Sequence, residues 1–187
     1  MIVALVSGEI GAGKTTICQK VVESARTRGV TCGGLSTPAL VEHGRKVGIV
    51  GVDLRSGERR VMARIDRDLG GPRVGCYYFM ADAFPWANAV IASAVEAGCD
   101  LLVVDEIGPL ELMQGGGLIP ALDLLDAIPR ALVVVRLSLV EALRNRLQTK
   151  QWTTPTLPSL RVFVTTLDSR DRLPKEITGW LFDPQHH

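Results

Sequence analysis

One glycine-rich stretch near the start of the chain constrains its fold more than any other part of the sequence. It consists of Gly8, Glu9, Ile10, Gly11, Ala12, Gly13, Lys14, Thr15 and Thr16, and it matches the pattern G-x-x-x-x-G-K-[ST] at every fixed position. An apolar run of strand length, residues 1–7, precedes it, and apolar residues at helical spacing follow it. In this context the backbone N–H groups of the loop and of the helix start form an anion site. The sequence therefore predicts that residues 8–16, here called the 8–16 loop, bind a nucleoside polyphosphate.

Two side chains of the 8–16 loop are predicted to act directly on the bound ligand. Lys14 would reach the β- and γ-phosphates as a catalytic residue, and the hydroxyl of Thr15 would coordinate Mg²⁺. The expected ligand is a nucleoside polyphosphate, and the expected cofactor is Mg²⁺.

A second stretch with reactive side chains is Leu101-Leu102-Val103-Val104-Asp105-Glu106. Apolar residues that lead into two acids are typical of a buried parallel strand with carboxylates at its C-terminal end. Asp105 is predicted to hold Mg²⁺ through a water, and Glu106 to activate the attacking water as a general base. Glu106 favours Mg²⁺-dependent hydrolysis of a nucleoside triphosphate to the diphosphate. Two alternatives stay open: a nucleotide or small-molecule kinase that uses the same loop, and a nucleotide-gated switch.

Helix and strand patterns alternate along most of the chain, which predicts an α/β protein. Helical spacing occurs at 14–28 and 83–97, and buried-strand runs occur at 101–104 and 132–135. Strand-like runs at 46–52 and 59–65 flank turn residues and predict a β hairpin, with a third extended piece at 73–79. We therefore predict one domain over residues 1–187 with three layers. It would have a mostly parallel sheet, helices on both faces, and an antiparallel β-hairpin insertion at about 44–79.

Two local patterns give more specific predictions. Gly33 and Gly34 lie inside an extended segment and indicate a close backbone approach, which we assign to the bound nucleotide. Ser138 and Glu141 have the spacing of a capping box and predict the start of a helix.

Composition narrows the classes of partner. A formal net charge of +1 gives no electrostatic reason to expect binding to nucleic acid or to a membrane surface, and no segment reaches transmembrane length. The cysteines at positions 18, 32, 76 and 99 are scattered, so we expect small buried apolar residues in a reducing, cytoplasmic compartment. A protein partner is not indicated.

With these residues placed, the sequence resembles the THEP-type nucleoside-triphosphatase family, also called the cancer-related nucleoside-triphosphatase family. Besides the 8–16 loop, five stretches carry the resemblance over nearly the whole chain. Residues 33–37 (GGLST) resemble G-G-F-x-T, 45–49 (RKVGI) resemble K-R-x-G-F, 74–77 (VGCY) resemble V-G-x-Y, 105–112 (DEIGPLEL) resemble D-E-I-G-K-M-E-L, and 169–174 (SRDRLP) resemble N-R-D-x-L-P. The resemblance implies a P-loop NTPase fold close to nucleotide kinases and the RecA/AAA group. It also implies slow, Mg²⁺-dependent hydrolysis of ATP, GTP and other nucleoside triphosphates.

The chain departs from the family pattern at three places. Pro38-Ala39-Leu40-Val41 stands where the family usually has E-E-V-R, Pro109 replaces a common lysine, and Ser169 replaces an asparagine. None of these changes affects the residues predicted to bind phosphate and Mg²⁺.

Two further site questions concern charged residues outside the 8–16 loop and the acidic pair Asp105-Glu106. A cation that stabilises the transition state is expected in phosphoryl transfer, and the candidates are Arg45, Arg136, Arg144 and Arg146. Glu111 has two interpretations: it orients a cation or a water in the site, or it is a solvated acid in a turn.

Overall fold

The computed structural model describes residues 1–153 and 157–183. Within these ranges the chain forms ten β-strands, six α-helices and two short 3-10 helices. The strands are β1 (Ile2–Gly8), β2 (Cys32–Ser36), β3 (Ala39–Glu42), β4 (Arg45–Asp53), β5 (Arg59–Arg64), β6 (Gly70–Val74), β7 (Tyr77–Met80), β8 (Leu101–Ile107), β9 (Arg130–Val135) and β10 (Ser159–Thr165). The α-helices are α1 (Lys14–Thr27), α2 (Ala83–Glu96), α3 (Pro109–Gln114), α4 (Ile119–Asp123), α5 (Val140–Thr149) and α6 (Leu173–Phe182), and the 3-10 helices span Leu124–Ala127 and Leu137–Leu139.

One half of the sheet is parallel, with strand order β10-β1-β9-β8-β2. The strand that leads into the 8–16 loop and the strand that carries the acids are therefore not neighbours, because β9 lies between them. Parallel strands end at the same edge of a sheet. This edge consequently gathers the C-terminal ends of β1, β9, β8 and β2.

Alternate side chains of the parallel strands enter two separate layers of core. In β1, Val3 and Leu5 pack in the layer that contains α2, α4 and α5, whereas Ala4 and Val6 pack in the layer that contains α1 and α6. Helices therefore cover both faces of the parallel half, and the predicted three-layer α/β arrangement is confirmed.

The antiparallel half of the sheet is larger than the hairpin that the sequence predicts. Strands β4, β5, β7 and β6 follow β2 in that order, and β3 pairs with β4. The single extended piece predicted at 73–79 is wrong, because a turn at Gly75 (φ 60°) and Cys76 divides it into parts of β6 and β7. No pattern in the sequence pointed to β3.

Cysteine burial differs from the prediction at one position. Cys18, Cys32 and Cys99 are buried, as expected, but Cys76 is exposed because it lies in the turn between β6 and β7. Among the residues that the structure describes, no helix is long and apolar enough to span a membrane.

The two glycines of β2 closely approach other parts of the protein, Gly33 the side chain of Ala94 and Gly34 the backbone of Val103, so their assignment to the nucleotide is wrong. A Cβ atom at Gly33 would lie 2.6 Å from the Cβ of Ala94 in α2. At Gly34 it would overlap the carbonyl oxygen of Val103 in the neighbouring strand β8, and this residue also has a φ of +99°. The glycines let β2 fit between α2 and β8, and this places Thr37 at the edge described above.

We expect Gly34→Ala to lower the free energy of unfolding by about 3 kcal/mol or more. A positive φ costs an alanine roughly 1–2 kcal/mol, and the overlap with Val103 adds to that cost. Gly29→Ala is the matched control, because Gly29 also has a positive φ (+76°) but a Cβ atom there would meet nothing within 4 Å. Urea denaturation of both variants measures the difference, and equal losses would show that the overlap is relaxed without cost.

Candidate active site

Residues from four strand ends line one pocket of about 390 Å³. Its polar end contains Lys14 and Thr15 from the loop after β1, Asp105 and Glu106 from β8, and Arg136, which directly follows β9. Thr37, which directly follows β2, completes this end. The structure therefore brings together the two stretches that the sequence singles out, although they lie on non-adjacent strands.

The 8–16 loop wraps its backbone around the start of α1. Gly11 and Gly13 have φ values of 82° and 95°, and Gly13 is the N-cap of α1, so no side chain caps the first N–H groups of the helix. Lys14 is buried, and its Nζ donates hydrogen bonds to the carbonyl oxygens of Gly8 (2.8 Å) and Glu9 (2.9 Å). Of the loop, the pocket is lined by Ile10, Gly11, Gly13, Lys14, Thr15 and Thr16. Backbone donors and one ammonium group at a helix N-terminus form a site for an anion.

Asp105 is the most buried acid of the pocket, with 1% of its surface exposed. One carboxylate oxygen, Oδ2, accepts a hydrogen bond from the backbone N–H of Thr37 at 3.0 Å. The other, Oδ1, has no hydrogen-bond partner among the described residues. Burial raises the pKa of Asp105 to about 6; the negative charge of Glu106 acts in the same direction, and hydrogen bonds from Thr37 and Thr15 oppose the shift.

This environment fits a divalent cation with oxygen ligands. An unpartnered carboxylate oxygen lies in the same pocket as the Thr15 hydroxyl, and both are ligands that Mg²⁺ prefers. In the described part of the chain, no group of three or more His, Cys, Asp or Glu side chains is placed to hold a metal. Such a site suits Mg²⁺, which usually takes one or two protein ligands and completes its shell with phosphate oxygens and waters.

Glu106 and Arg136 face each other across the ends of β8 and β9. Oε1 of Glu106 lies 3.4 Å from Nε of Arg136, and their side chains are 34% and 40% exposed. Of the four arginine candidates, Arg136 alone is among the described residues that line the pocket. Arg144 instead pairs with Glu141 of its own helix at 3.3 Å. The pair Glu106–Arg136 therefore presents a carboxylate and a cation side by side to the pocket.

Glu111 is a buried residue with a structural position, and its interpretation as a solvated turn acid is wrong. It is 5% exposed. Its Oε2 accepts a hydrogen bond from the N–H of Gly108 (2.7 Å) and its Oε1 accepts one from the N–H of Leu118 (3.1 Å). Pro109 occupies the first position of α3, where a missing N–H removes no helical hydrogen bond. Glu111 thus links Gly108, at the start of α3, to Leu118 by two hydrogen bonds.

A second, apolar end of the pocket has no motif that announces it in the sequence. It is lined by Ile49, Met62, Val74, Tyr77, Phe79, Phe84, Leu110 and Leu118, together with Lys46. Most of these residues come from β4, β5, β6 and β7 and from the first turn of α2. Among the eight apolar and aromatic residues, Ile49, Val74, Tyr77 and Leu110 belong to stretches that the resemblance marked, and none of them was assigned a role there.

A glycine-rich loop at a helix N-terminus, facing acids on a parallel strand, defines a nucleotide-handling protein of the P-loop NTPase class. The model of a protein family described as NTPase matches residues 3–178 of this chain. The nucleoside-triphosphatase THEP1 of Methanopyrus kandleri is 34% identical over 182 residues, which cover 95% of this chain and 96% of that protein. The corresponding protein of Ignicoccus hospitalis is 42% identical over 107 residues, 57% of this chain and 59% of that protein.

A solved structure gives the same result. The solution structure of a human cancer-related nucleoside triphosphatase superposes with a TM-score of 0.73 and 26% identity, over 98% of this chain and 99% of that one. The chain therefore belongs to the NTPase family and is a nucleoside-triphosphatase, as the resemblance implied.

The raised pKa of Asp105 predicts how the stability of the ligand-free protein depends on pH. An unfolded aspartate ionises near pH 3.8, whereas folded Asp105 keeps its proton until about pH 6. Between these values the folded state binds more protons, so the free energy of unfolding falls as pH rises, by about 3 kcal/mol in total. Urea denaturation from pH 4 to 7 measures this change.

Asp105→Asn should remove that decrease, because asparagine does not titrate. Asp100→Asn is the control: hydrogen bonds from Thr31 lower the pKa of Asp100, so this group titrates below the interval and its removal should leave the slope unchanged. A wild-type slope that survives in Asp105→Asn would assign the pH dependence to other groups.

Proposed function

We propose that this enzyme hydrolyses ATP, GTP and other nucleoside triphosphates to the diphosphate and phosphate, with Mg²⁺, in the pocket at the strand ends. The observation that carries the proposal is the buried carboxylate of Asp105, whose Oδ1 is unpartnered within the described chain and which lines the same pocket as the 8–16 loop. The relatives' names support hydrolysis rather than the kinase or switch alternatives.

The 8–16 loop is proposed to bind the phosphates. Its backbone N–H groups and the uncapped start of α1 attract the negative oxygens. The ammonium group of Lys14, which now binds the carbonyl oxygens of Gly8 and Glu9, would extend to the β- and γ-phosphates. Because these contacts involve phosphate alone, they place no demand on the identity of the base.

Thr15 and Asp105 are the residues that would hold Mg²⁺. When bound, the ion offsets the negative charge of the phosphate oxygens and so favours attack at the γ-phosphorus. The carboxylate of Asp105 then gains the charge compensation that its buried position lacks in the ligand-free protein.

Glu106 is proposed as the general base. A water near the γ-phosphate transfers a proton to the Glu106 carboxylate while the water oxygen forms a bond to the γ-phosphorus. The bond between that phosphorus and the β–γ bridging oxygen then breaks. Arg136, at 3.4 Å from Glu106, holds the carboxylate in the pocket and supplies a cation near the transferred group.

Glu106→Gln tests this function most directly. Glutamine keeps the shape of the side chain but cannot take a proton, so we expect single-turnover phosphate release from ATP and GTP to fall by roughly 10²–10⁴ while triphosphate affinity stays near wild type. Rapid-quench assays with Mg²⁺ or with EDTA, together with calorimetric titration of a non-hydrolysable ATP analogue, measure both quantities.

Asp105→Asn is the matched variant for Glu106→Gln, since it should weaken Mg²⁺ dependence and nucleotide binding together. Melting temperatures of both proteins separate a lost fold from a lost reaction. Turnover of Glu106→Gln within about threefold of wild type would remove Glu106 from the reaction.

Arg136→Ala is expected to lower kcat by at least about tenfold, because arginines that stabilise charge in phosphoryl transfer contribute strongly to the rate. Arg136→Lys should recover part of the loss if charge alone is required. Arg144→Ala is the control, since Arg144 pairs with Glu141 outside the pocket lining and should leave kcat within about twofold. A kcat of Arg136→Ala within about twofold of wild type would show that Arg136 does not act on the reaction.

A further inference from the structure

The pocket continues beyond the acids into a space that the proposed hydrolysis does not use. We call this space the apolar chamber and define it by its lining residues: Ile49, Met62, Val74, Tyr77, Phe79, Phe84, Leu110 and Leu118. The charged groups proposed to act on phosphate come from the ends of β1, β8 and β9, whereas most chamber residues come from β4 to β7 and α2. The chamber therefore differs from the phosphate end in chemistry as well as in position.

Aromatic rings form one wall of the chamber. The rings of Phe79 and Phe84 are stacked with centroids 4.7 Å apart, and Tyr77 meets Phe79 edge-on at 6.5 Å. Met62 and Phe79 are buried, whereas Tyr77 and Phe84 remain half-buried although both line the pocket. Packing of β5, β7 and α2 holds these rings in place, so the wall is formed before a ligand arrives.

The base of the nucleotide is not the occupant of this space. In the proposed reaction the γ-phosphate meets Glu106 and Asp105, whereas the nucleoside is attached at the opposite, α-phosphate end of the triphosphate. In the sheet, β8 carries the acids, and the chamber strands β4, β5, β7 and β6 lie beyond β8 and β2, away from β1. A triphosphate bound to the 8–16 loop therefore directs its γ end, not its base, toward the chamber.

Lys46 sets the charge of the chamber. Its side chain is exposed, lines the pocket, and places Nζ 5.4 Å from the centroid of the Tyr77 ring. Within the described residues, no carboxylate forms an ion pair with it. A cation next to aromatic rings and without an acidic partner favours an occupant that is flat, apolar and negatively charged.

We propose that the apolar chamber binds a second small molecule, an aromatic anion with a carboxylate, sulfonate or phosphate group, alongside the nucleoside triphosphate. Its ring packs against Tyr77 and Phe84, and its anionic group pairs with Lys46. Simultaneous binding of the two molecules depends on the nucleotide site proposed above, whereas binding of the aromatic anion depends only on the lining residues of the chamber.

Fluorescence titration with anilinonaphthalene sulfonate, an aromatic anion whose emission rises in apolar surroundings, tests the proposal. We expect saturable binding to the wild-type protein that persists with saturating Mg²⁺ and a non-hydrolysable ATP analogue. Lys46→Gln and Tyr77→Ala should each weaken probe binding by at least about fivefold. Lys46 is exposed, so the first variant tests the site without disturbing the fold.

Arg73→Gln and Tyr78→Ala are the matched controls, because this neighbouring cation–ring pair (5.0 Å) is not part of the described pocket lining. Both should bind the probe as the wild type does. Equal losses in controls and chamber variants, or displacement of the probe by the analogue, would overturn the proposal. Calorimetric titration of the same samples with the ATP analogue measures nucleotide binding separately. A loss of nucleotide binding can therefore be distinguished from a loss of probe binding in the chamber.

Discussion

The parallel alignment of β1, β9, β8 and β2 is the constraint on which the site depends. It places the 8–16 loop, Arg136, the two acids and Thr37 at one edge of the sheet, although they are far apart in sequence. Because β9 lies between β1 and β8, the residue that follows β9 lies between the 8–16 loop and the acids. The N–H of Arg136 also donates to the carbonyl of Ile107 at 3.4 Å, so the end of β9 is tied to the end of β8. The position of Arg136 is thus a property of strand order.

This dependence explains which parts of the site could be predicted. The 8–16 loop and Asp105-Glu106 are contiguous stretches whose chemistry can be inferred without a fold, and the structure places both in the pocket. Arg136 could not be chosen over Arg144 because the choice requires the sheet order. The capping box at Ser138 and Glu141 is wrong for a local reason: residues 137–139 form a 3-10 helix, and α5 begins at Val140 without a side-chain cap. Glu111 accepts hydrogen bonds both from Gly108 in its own turn and from Leu118 beyond the helix, and the second contact could not be inferred from the local sequence.

Several polar groups of the ligand-free site are arranged at a cost that a bound nucleotide would remove. Asp105 is buried with one oxygen unpartnered among the described residues, and Lys14 is buried against carbonyl oxygens instead of a carboxylate. Buried charges without full compensation reduce stability, and proteins retain them where function requires them. The stabilising contacts lie elsewhere, in the two apolar layers around the parallel strands. Because the stabilising apolar contacts lie away from the strand ends, the edge of the sheet can carry buried polar groups while the protein stays folded.

The antiparallel half of the sheet gives this nucleoside-triphosphatase a feature that phosphate chemistry alone does not require. Contacts to phosphates alone do not explain why β4 to β7 line the same pocket with apolar and aromatic side chains. Pro38 and Ala39 also line it, at positions where the resembling family usually has two acids. Their side chains are neutral, so these two lining residues carry no charge opposite to that of Lys46. The antiparallel strands and these two residues therefore both support the proposed binding of an aromatic anion in the apolar chamber, beside Lys46.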